Sequence, residues 1–569
     1  MSEAGLHVEI SPEETHDAAR ASAIAAILAH PRLRQHFPAG DLWVVAFDVV
    51  DKGDGDGARF TTVVHDTDTG RAALVEGWLD DLDSPFISPT ANQWPPTEDE
   101  HAWAVSILAE HRDFSALMAD PATTAYRPMP PLANVEHPDG TVDRVVAVGI
   151  RTAGDVSGAA ARHRMVGVRT RDGEVLAELA GVAAPSEGDC GCPPGPSTAS
   201  HAAAPPGPAA PPAGPSEGDS QARVQVRRGD TALWDLVVVR PRDSSGTNGS
   251  GVELRTVDYR GQRVLFRAHL PIVNVAYNDV RAAGGCGPTT RAWLREESCF
   301  GAEGIEAVTG FRLCPSAPET ILDSGVDGGH CRGVALWLDG EELVITSQMQ
   351  AGWYRYVSEW RLAADGTIRP RFGVAAARNP CTCMAQAHHT YWRLDFDIGG
   401  PDNNVIQEHN DPPVMAMSSW HTIRQEVRRT RSIEHGRYWR VRNTRASQGY
   451  AIRPGPADGT ADDYGAGDLW VLRYHPEELD DGQGLTSDPH RSRAGLDRFL
   501  TGESVERQDL VVWYGAHLAT DADPPDGSRR VVGPDLVPYQ WKDAPTPSEA
   551  YAPLQPPTSE ELRPPDPAT

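Results

Sequence analysis

Residues 383–398, CMAQAHHTYWRLDFDI, place two adjacent histidines before an alternating stretch that ends in two acids. Trp392, Leu394 and Phe396 alternate with polar residues, which predicts a β-strand with one apolar face. His388 shares the parity of these apolar residues, whereas His389 falls on the opposite face. Because a buried imidazole needs a partner, His388 is either a hydrogen-bonded core residue or a metal ligand.

A large β-sheet must position these histidines. Residues 223–545 contain many short β patterns bounded by Gly, Asp, Asn and Pro, among them RVLFRAHL, GVALWLDG, ELVITSQM and DLVVWYGAH. No long helical period interrupts them. This pattern predicts a mainly β protein with a large antiparallel β-sandwich over residues 223–545.

The preceding residues predict two smaller units of similar design. Residues 1–92 and 93–182 each begin with an amphipathic helix that follows a proline and acids, and each continues with strand-like runs. We therefore expect two α+β domains. Residues 183–222 are rich in Pro, Ala, Gly and Ser and predict a linker, and residues 546–569 predict a disordered tail.

Composition excludes several functional classes. The chain has 569 residues and a formal net charge of −28. Such a charge repels phosphate backbones and anionic membranes, so we expect neither nucleic acid nor a membrane as a partner. The sequence shows no secretory signal and no apolar run long enough to span a bilayer, which predicts a cytoplasmic protein. It also lacks a P-loop, a G-x-S-x-G elbow, an H-E-x-x-H motif and a dinucleotide fingerprint.

Four segments in order give the sequence a resemblance to the copper- and topaquinone-dependent amine oxidases. DYRGQRVLFRAHLPIVNVAYND resembles the segment that leads to a tyrosine hydrogen-bonded to the quinone, which falls on Tyr277. ELVITSQMQAGWYRYVSEWRLAADGTI resembles the strand of the precursor tyrosine, here Tyr354. HHTYWRLDFDIGG resembles the strand of the copper-binding His-x-His pair, and QDLVVWYGAH resembles the strand that supplies the third copper ligand, here His517.

The resemblance implies both a fold and a reaction. In the family, two cystatin-like α+β domains precede a β-sandwich, and homodimers are usual. Three imidazoles hold copper, which with O₂ converts the tyrosine into a quinone. The quinone captures a primary amine as a Schiff base and an aspartate removes a substrate proton. The products are an aldehyde, ammonia and hydrogen peroxide, so the resemblance implies an oxidoreductase of amine metabolism.

The sequence departs from the family at three places. The His-x-His pair falls on Gln386 and His388, so Met384, Gln386 or His389 would have to complete the copper ligands. Tyr354 lies between Trp353 and Arg355 instead of beside an asparagine and an acid. No aspartate occupies the expected position of the general base, about fourteen residues after Tyr277.

A second cation site is also implied by the resemblance. Asp395 and Asp397 of the R-L-D-x-D sequence, together with Asp509, match the acids that hold a hard cation near the surface in the family. An all-oxygen ligand set suits Ca²⁺ or Mn²⁺. Solvent-exposed strand acids without an ion are the alternative.

Three hypotheses follow. The first is a copper-dependent primary-amine oxidase that acts through a quinone formed from Tyr354, with Tyr277 orienting the quinone and His388 and His517 binding copper. The second is a degenerate member of the fold that binds a metal or a small molecule. The third is a quinone-free copper oxidase in a specialised pathway. The sequence does not identify the substrate.

Overall fold

The computed structural model describes most of the chain. The described residues are 5–13, 17–38, 40–50, 57–66, 69–90, 93–128, 131–137, 142–152, 163–176, 218–249, 251–277, 290–352, 354–376, 386–414, 418–484, 491–520 and 531–541. They form a mainly β structure with two large, mostly antiparallel sheets, which confirms the predicted fold class.

The first part of the chain folds as a helical pair on a small sheet. Its elements are β1 Leu6–Pro12, α1 Asp17–Ala29, α2 Pro31–His36, β2 Leu42–Val50, β3 Arg59–Asp66, β4 Ala72–Trp78 and β5 Asp81–Thr90. Strands β2 to β5 form an antiparallel sheet in chain order. Ile27 of α1 is buried against Phe47 and Val75 of this sheet, as expected for an amphipathic helix.

A second small sheet follows. The elements are α3 Glu98–Glu110, α4 Ser115–Met118, β6 Thr123–Tyr126, β7 Val135–Glu136, β8 Val142–Asp143, β9 Val145–Thr152, β10 His163–Arg169 and β11 Val175–Leu176. Helix α3 begins with a capping box, because Glu100 N–H donates to Thr97 Oγ1 and Thr97 N–H donates to the Glu100 carboxylate. Its buried residues Ala104 and Leu108 pack on β9 and β10.

The remaining elements build the large sandwich. They are β12 Gln221–Arg228, β13 Thr231–Val239, β14 Glu253–Tyr259, β15 Gln262–Tyr277, β16 Thr290–Arg291, β17 Ile305–Val308, β18 Phe311–Leu313, α5 Ile321–Ser324, β19 Val334–Asp339, β20 Glu342–Ala351, β21 Tyr354–Ala363, β22 Ile368–Ala376, β23 Gln386–Phe396, β24 Asn404–His409, β25 Trp420–Ile423, β26 Val427–Arg429, β27 Tyr438–Asn443, β28 Gly449–Arg453, β29 Leu469–Arg473, β30 Leu510–Thr520, β31 Val531–Val532 and β32 Asp535–Tyr539. Two 3₁₀ turns lie at Pro241–Asp243 and Leu496–Phe499.

Two extended sheets face each other across one core. The first has the strand order β1-β12-β13-β14-β15-β23-β30-β29-β26, and β16 pairs with β15. The second has the order β17-β18-β19-β20-β21-β22-β32-β28-β27-β24-β25, and β31 pairs with β22. Trp392 and Leu394 of the first sheet share a buried cluster with Tyr356 and Trp360 of the second. Strands β21 and β23 therefore meet across the interior of the sandwich.

The N-terminal strand belongs to the large sheet and not to the first small one. Strand β1 pairs antiparallel with β12 from Leu6↔Arg228 to Pro12↔Ala222, and Val8 is buried in the sandwich core. This pairing was not predicted from the sequence. Strand β12 also begins inside the predicted linker of residues 183–222. Residues 183–217 of that linker and the predicted tail lie outside the described residues, and the domain boundaries stay predictions.

Helices in the described ranges are all too short and too polar to cross a bilayer.

Candidate active site

The candidate site lies where β21 and β23 face each other. Residues of one parity on β21 point into the sandwich, and they include Tyr354 and Tyr356. Gln386 and His388 have the same inward parity on β23. All four side chains are buried, with exposed fractions of 2 % or less. The structure therefore brings together three of the residues predicted for the site: Tyr354, Gln386 and His388.

Tyr354 is held by a short hydrogen bond. Its Oη donates to Gln386 Oε1 over 2.5 Å. The Tyr354 ring stands almost perpendicular to the His388 imidazole, at 87° and with ring centroids 5.0 Å apart. His388 Nδ1 lies 3.4 Å from Tyr356 Oη, and His388 Nε2 is buried with no hydrogen-bond partner among the described residues. That nitrogen could ligate a metal ion.

Burial sets the protonation of this group. Desolvation, assisted by the nearby His389, lowers the pKa of His388 to about 3. Desolvation also raises the pKa of Tyr356 well above its usual value. At neutral pH the site therefore contains a neutral imidazole beside a protonated phenol, and His388 has a lone pair available for a metal or a proton donor.

The residue after Tyr354 is fixed by a bidentate ion pair. Arg355 Nε and Nη2 donate to the two carboxylate oxygens of Asp327 at 2.8 and 2.5 Å. Arg355 Nη1 donates to the carbonyl oxygens of Tyr354 and Gly352, each at 3.0 Å. These bonds fix the backbone on both sides of position 353, a residue that lies outside the described part of the chain.

His517 does not join His388, and the predicted convergence of these two imidazoles is wrong. In the pairing of β23 with β30, His517 lies directly opposite His389, and His388 lies opposite Leu518. His517 Nδ1 is 2.7 Å from His389 Nδ1. Since consecutive residues of a strand point to opposite faces, His389 and His517 share the outer face of the sheet while His388 points into the sandwich.

Copper bound by three histidines does not fit the described residues between the sheets. One imidazole, one carboxamide and two phenols are present there, on His388, Gln386, Tyr354 and Tyr356. The orphaned His388 Nε2 suits a metal, but a carboxamide oxygen is a harder and weaker donor for copper than the imidazole it replaces. His389 cannot complete this set, because β23 runs in regular register with β30 through residues 386–396 and contains no bulge there.

Several predicted residues fall at the edge of the described structure. The backbone of Tyr277 ends β15 opposite Gln386, which is consistent with a position near the site, but its side chain lies outside the described residues. Met384 also lies outside them, as does the segment 278–289 in which a general base was sought. Glu297, which follows that segment, forms a buried ion pair with Arg240 at 2.6 Å and is thereby committed to the structure.

The three predicted cation-binding acids do cluster. Carboxylate oxygens of Asp395, Asp397 and Asp509 lie within 4.8 Å of one another, and the first two residues are buried. Phe396 and Leu510 are paired between the same strands, which brings their backbone carbonyls to this end of the sheet. Three carboxylates with adjacent carbonyls fit a hard cation such as Ca²⁺ or Mn²⁺.

Sequence reasoning missed the residues around His389 and His517. Asp462, Gly465 and Asp468 belong to an irregular loop that covers the outer face of β23 and β30. No strand period or motif connects this loop to the histidines, because its contacts come from tertiary docking. Only the adjacent acids and glycines of ADDYGAGD could have marked it as a turn.

Comparisons with known proteins agree with this architecture. Residues 332–548 match the family model of the copper amine oxidase enzyme domain. A copper-containing benzylamine oxidase from Hansenula polymorpha superposes with a TM-score of 0.55 at 13% identity, covering 92% of this chain and 97% of that one. A lysyl oxidase from Pichia pastoris superposes with a TM-score of 0.52 at 12% identity, covering 95% and 92%.

A search of curated proteins finds no match to this sequence. At such low identities the superpositions support the fold alone, and the family model supplies the link in sequence. The fold and the enzyme-domain match agree. Residues 332–548 therefore resemble a copper amine oxidase enzyme domain, and the comparisons support a divergent member of that family.

Proposed function

We propose that this chain is a ligand-binding member of the copper amine oxidase family that keeps Tyr354 as an unmodified tyrosine. The family implies copper, a quinone cofactor, an amine substrate and O₂. The observation that carries the proposal is the separation of His388 and His517 on opposite faces of the first sheet. Among the described residues no second imidazole lies beside Tyr354, so they offer copper no three-histidine site from which to promote oxidation of the phenol.

Two contacts of Tyr354 support this proposal. Its phenol is held by Gln386, which occupies a position where the family has a copper ligand. Its backbone carbonyl is held by Arg355, which is itself locked to Asp327. The phenol cannot leave this position without breaking its hydrogen bond to Gln386, and formation of the family's cofactor requires the ring to move.

The second candidate is the family reaction, oxidative deamination of a primary amine to aldehyde, ammonia and peroxide. The position of Tyr354, 5.0 Å from the His388 ring in a dry interior, favours it. In this case His388 and Gln386 would hold copper, Tyr354 would provide the quinone, and Tyr277 would orient it. A quinone-free copper oxidation would need the same copper ligands and meets the same objection.

We also propose a hard cation, Ca²⁺ or Mn²⁺, at Asp395, Asp397 and Asp509. The close approach of these three carboxylates supports it. Two of them are buried, and buried carboxylates close together repel one another unless a cation or protons neutralise them. A homodimer and a cytoplasmic location stay predictions from the sequence.

Aerobic copper loading of the purified chain tests the choice between the two functions. Phenylhydrazine is added and the absorbance is recorded. The mass of the peptide that contains residue 354 is then measured by mass spectrometry. The proposal predicts an unmodified Tyr354 and no coloured adduct. A coloured adduct that is absent in Tyr354→Phe, with a mass change on the same peptide in the unsubstituted chain, would establish the quinone and reject the proposal.

A matched variant makes this result interpretable. Gln386→His restores an imidazole at the inward position next to His388. If the missing ligand is what prevents the oxidation, this variant should bind copper more tightly between the sheets than the unsubstituted chain. Failure of Gln386→His to improve copper binding at all would contradict the argument from ligand count.

A further inference from the structure

A group of arginines lies on the outer face of the second sheet, away from the core. Residues 424–453 contain nine arginines and two acids, in a chain whose formal net charge is −28. Five of these arginines form ion pairs with carboxylates: Arg424, Arg428, Arg429, Arg431 and Arg437. Arg440 and Arg442 form no ion pair among the described residues. No acid in the described part of the chain therefore balances their two charges.

Arg440 and Arg442 belong to β27 and point to the same side. Trp439 and Val441 are buried in the sandwich core, so the two arginines that alternate with them point outward. Residues two positions apart on a strand are about 6.6 Å apart along it. Burial lowers the pKa of the Arg440 guanidinium, and the neighbouring charge of Arg442 also lowers it. The two guanidinium groups thus repel each other.

Aromatic rings orient the Arg440 guanidinium. Its Cζ lies 3.6 Å from the centroid of the Trp420 ring and 5.5 Å from the centroid of the Tyr539 ring. Arg440 Nε donates to Gln407 Oε1 over 2.9 Å. A guanidinium that stacks on an aromatic ring still presents its terminal N–H groups at its edge. The terminal nitrogens of Arg440 make no hydrogen bond among the described residues, so they are available to an acceptor.

Gly449 lets Arg442 and Tyr539 approach each other. In the sheet it lies opposite Arg442 of β27 on one side and opposite Tyr539 of β32 on the other. A Cβ at Gly449 would clash with Tyr539 Oη, so the phenol occupies the space above the glycine. Arg442 Nε and Tyr539 Oη are shielded from water and have no hydrogen-bond partner among the described residues. Burial raises the pKa of Tyr539 to about 12, which keeps its hydroxyl a donor at neutral pH.

We propose that Arg440, Arg442 and Tyr539 form a binding site for a phosphate group on the outer face of the second sheet. Guanidinium groups make charge-assisted hydrogen bonds with phosphate oxygens. A phosphate monoester carries a charge of about −1.5 to −2 at pH 7, which matches two unbalanced guanidinium groups, whereas a carboxylate would balance one. The anion also offers an acceptor to the orphaned Arg442 Nε and Tyr539 hydroxyl. This site does not depend on Tyr354 or on copper.

Calorimetric titration of the full-length chain with glycerol 3-phosphate tests the site. The ionic strength is held constant, because salt screens exposed charges. We expect one equivalent to bind, and inorganic phosphate should compete with it. Arg442→Gln should weaken binding more than about 10-fold, because it removes a charged donor. Tyr539→Phe should weaken it about 3-fold, because it removes a neutral donor.

Arg445→Gln is the matched control. Arg445 is exposed in the turn between β27 and β28, so this variant loses the same charge away from the proposed site. It should change the affinity by less than about 2-fold. Equal weakening in Arg445→Gln and Arg442→Gln would overturn the proposal, because it would show attraction to the overall charge alone. The proposal also fails if neither phosphate compound binds the unsubstituted chain.

The Arg442→Gln variant should fold. Arg442 makes no hydrogen bond among the described residues, so the substitution breaks none there, and circular dichroism checks the fold. Unchanged affinity for glycerol 3-phosphate in the folded variant would contradict the site.

Two further ligands test the identity of the anion. Acetate at the same ionic strength should bind more than about 10-fold more weakly than glycerol 3-phosphate, and equal binding would replace phosphate by a carboxylate and overturn the proposal. Phosphatidylcholine vesicles with and without phosphatidic acid distinguish a lipid headgroup from a soluble monoester. We expect the chain to sediment with neither, since its net charge is −28. Sedimentation that requires phosphatidic acid and is lost in Arg442→Gln would support the same site with a lipid headgroup as its ligand.

Discussion

At the scale of single residues, chemistry in this protein depends on which face of a strand a side chain occupies. Alternation along β23 predicts that His388 points inward and His389 outward, and the structure confirms both. The prediction that His517 joins His388 came from the resemblance instead, and it is wrong. Strand β30 is apolar on both faces, with Val511 and Trp513 buried on one and Val512 and Tyr514 on the other. Its sequence pattern therefore does not show which face His517 occupies.

Removing the hydroxyl group of Tyr354 should measure how much its hydrogen bond to Gln386 stabilises the folded chain. Tyr354→Phe deletes the hydrogen bond to Gln386 inside a dry interior, and we expect the free energy of unfolding to fall by about 1 kcal/mol. Tyr356→Phe is the control, because its contact with His388 is longer, at 3.4 Å, and should cost less. Urea denaturation measures both. A larger loss in Tyr356→Phe than in Tyr354→Phe would contradict the assigned geometry.

The acid cluster predicts stabilisation by a hard cation. Saturating Ca²⁺ or Mn²⁺ should raise the melting temperature, since an ion at 100 times its Kd adds about 2.7 kcal/mol to the free energy of unfolding. Asp397→Asn should abolish the rise, because it removes one of three clustered carboxylates. Asp402→Asn, at an exposed position nearby, should retain it. If neither ion changes the melting temperature of the unsubstituted chain, the cation site is excluded.

At the scale of elements, the short strands could be predicted from the turn residues that bound them, but the strands with which they pair could not. The predicted strands containing RVLFRAHL, GVALWLDG and YWRLDFDI are all present, as β15, β19 and β23. The pairing of β1 with β12 joins residues more than 200 positions apart, and nothing in LHVEISP distinguishes it from a local partner of α1. Sheet order depends on long-range packing, which local periodicity does not contain.

The position of β1 predicts that its one core residue stabilises the large sandwich. Val8→Asp places a carboxylate at a site that is 6 % exposed and surrounded by apolar residues, so we expect a loss of about 2–4 kcal/mol. Glu9→Ala, at the exposed neighbouring position, should change the free energy of unfolding by less than about 0.5 kcal/mol. Equal effects of the two substitutions on urea denaturation would show that β1 does not pack on the sandwich.

At the scale of the whole molecule, the sandwich could be predicted because strand patterns separated by turns fill residues 223–545. The same sandwich explains why the arrangement of the site could not be predicted from the sequence. A residue between two sheets contacts residues that are distant in sequence, so the Tyr354–Gln386 bond and the Asp462–Gly465 cover of His389 follow from docking. The resemblance in sequence identified the strands that meet. A shift of one residue along a strand determines whether a side chain points into the sandwich or away from it.

Buried histidines in separate parts of the molecule predict acid lability. Burial, with Arg144 nearby, lowers the pKa of His65 to about 4, and burial, with Arg393 and Arg267 nearby, lowers the pKa of His269 to about 3. Both lie below the value of about 6.5 in the unfolded chain. The unfolded state therefore binds more protons between these values, and the free energy of unfolding falls as the pH falls below about 6.5.

Each such histidine contributes up to about 1.4 kcal/mol per pH unit until its folded pKa is reached. His269→Gln removes one titrating ring, whose Nε2 lies 2.9 Å from the carbonyl oxygen of Leu479, and keeps a side chain that can donate to that oxygen. Between pH 6 and pH 4 we expect the free energy of unfolding of this variant to fall less steeply, because its unfolding takes up about one proton fewer. Adding His65→Gln should reduce the slope further. Urea denaturation at several pH values measures the slopes. A slope that stays the same in both variants would mean that these imidazoles take up protons equally in the folded and unfolded chains, which is incompatible with their burial.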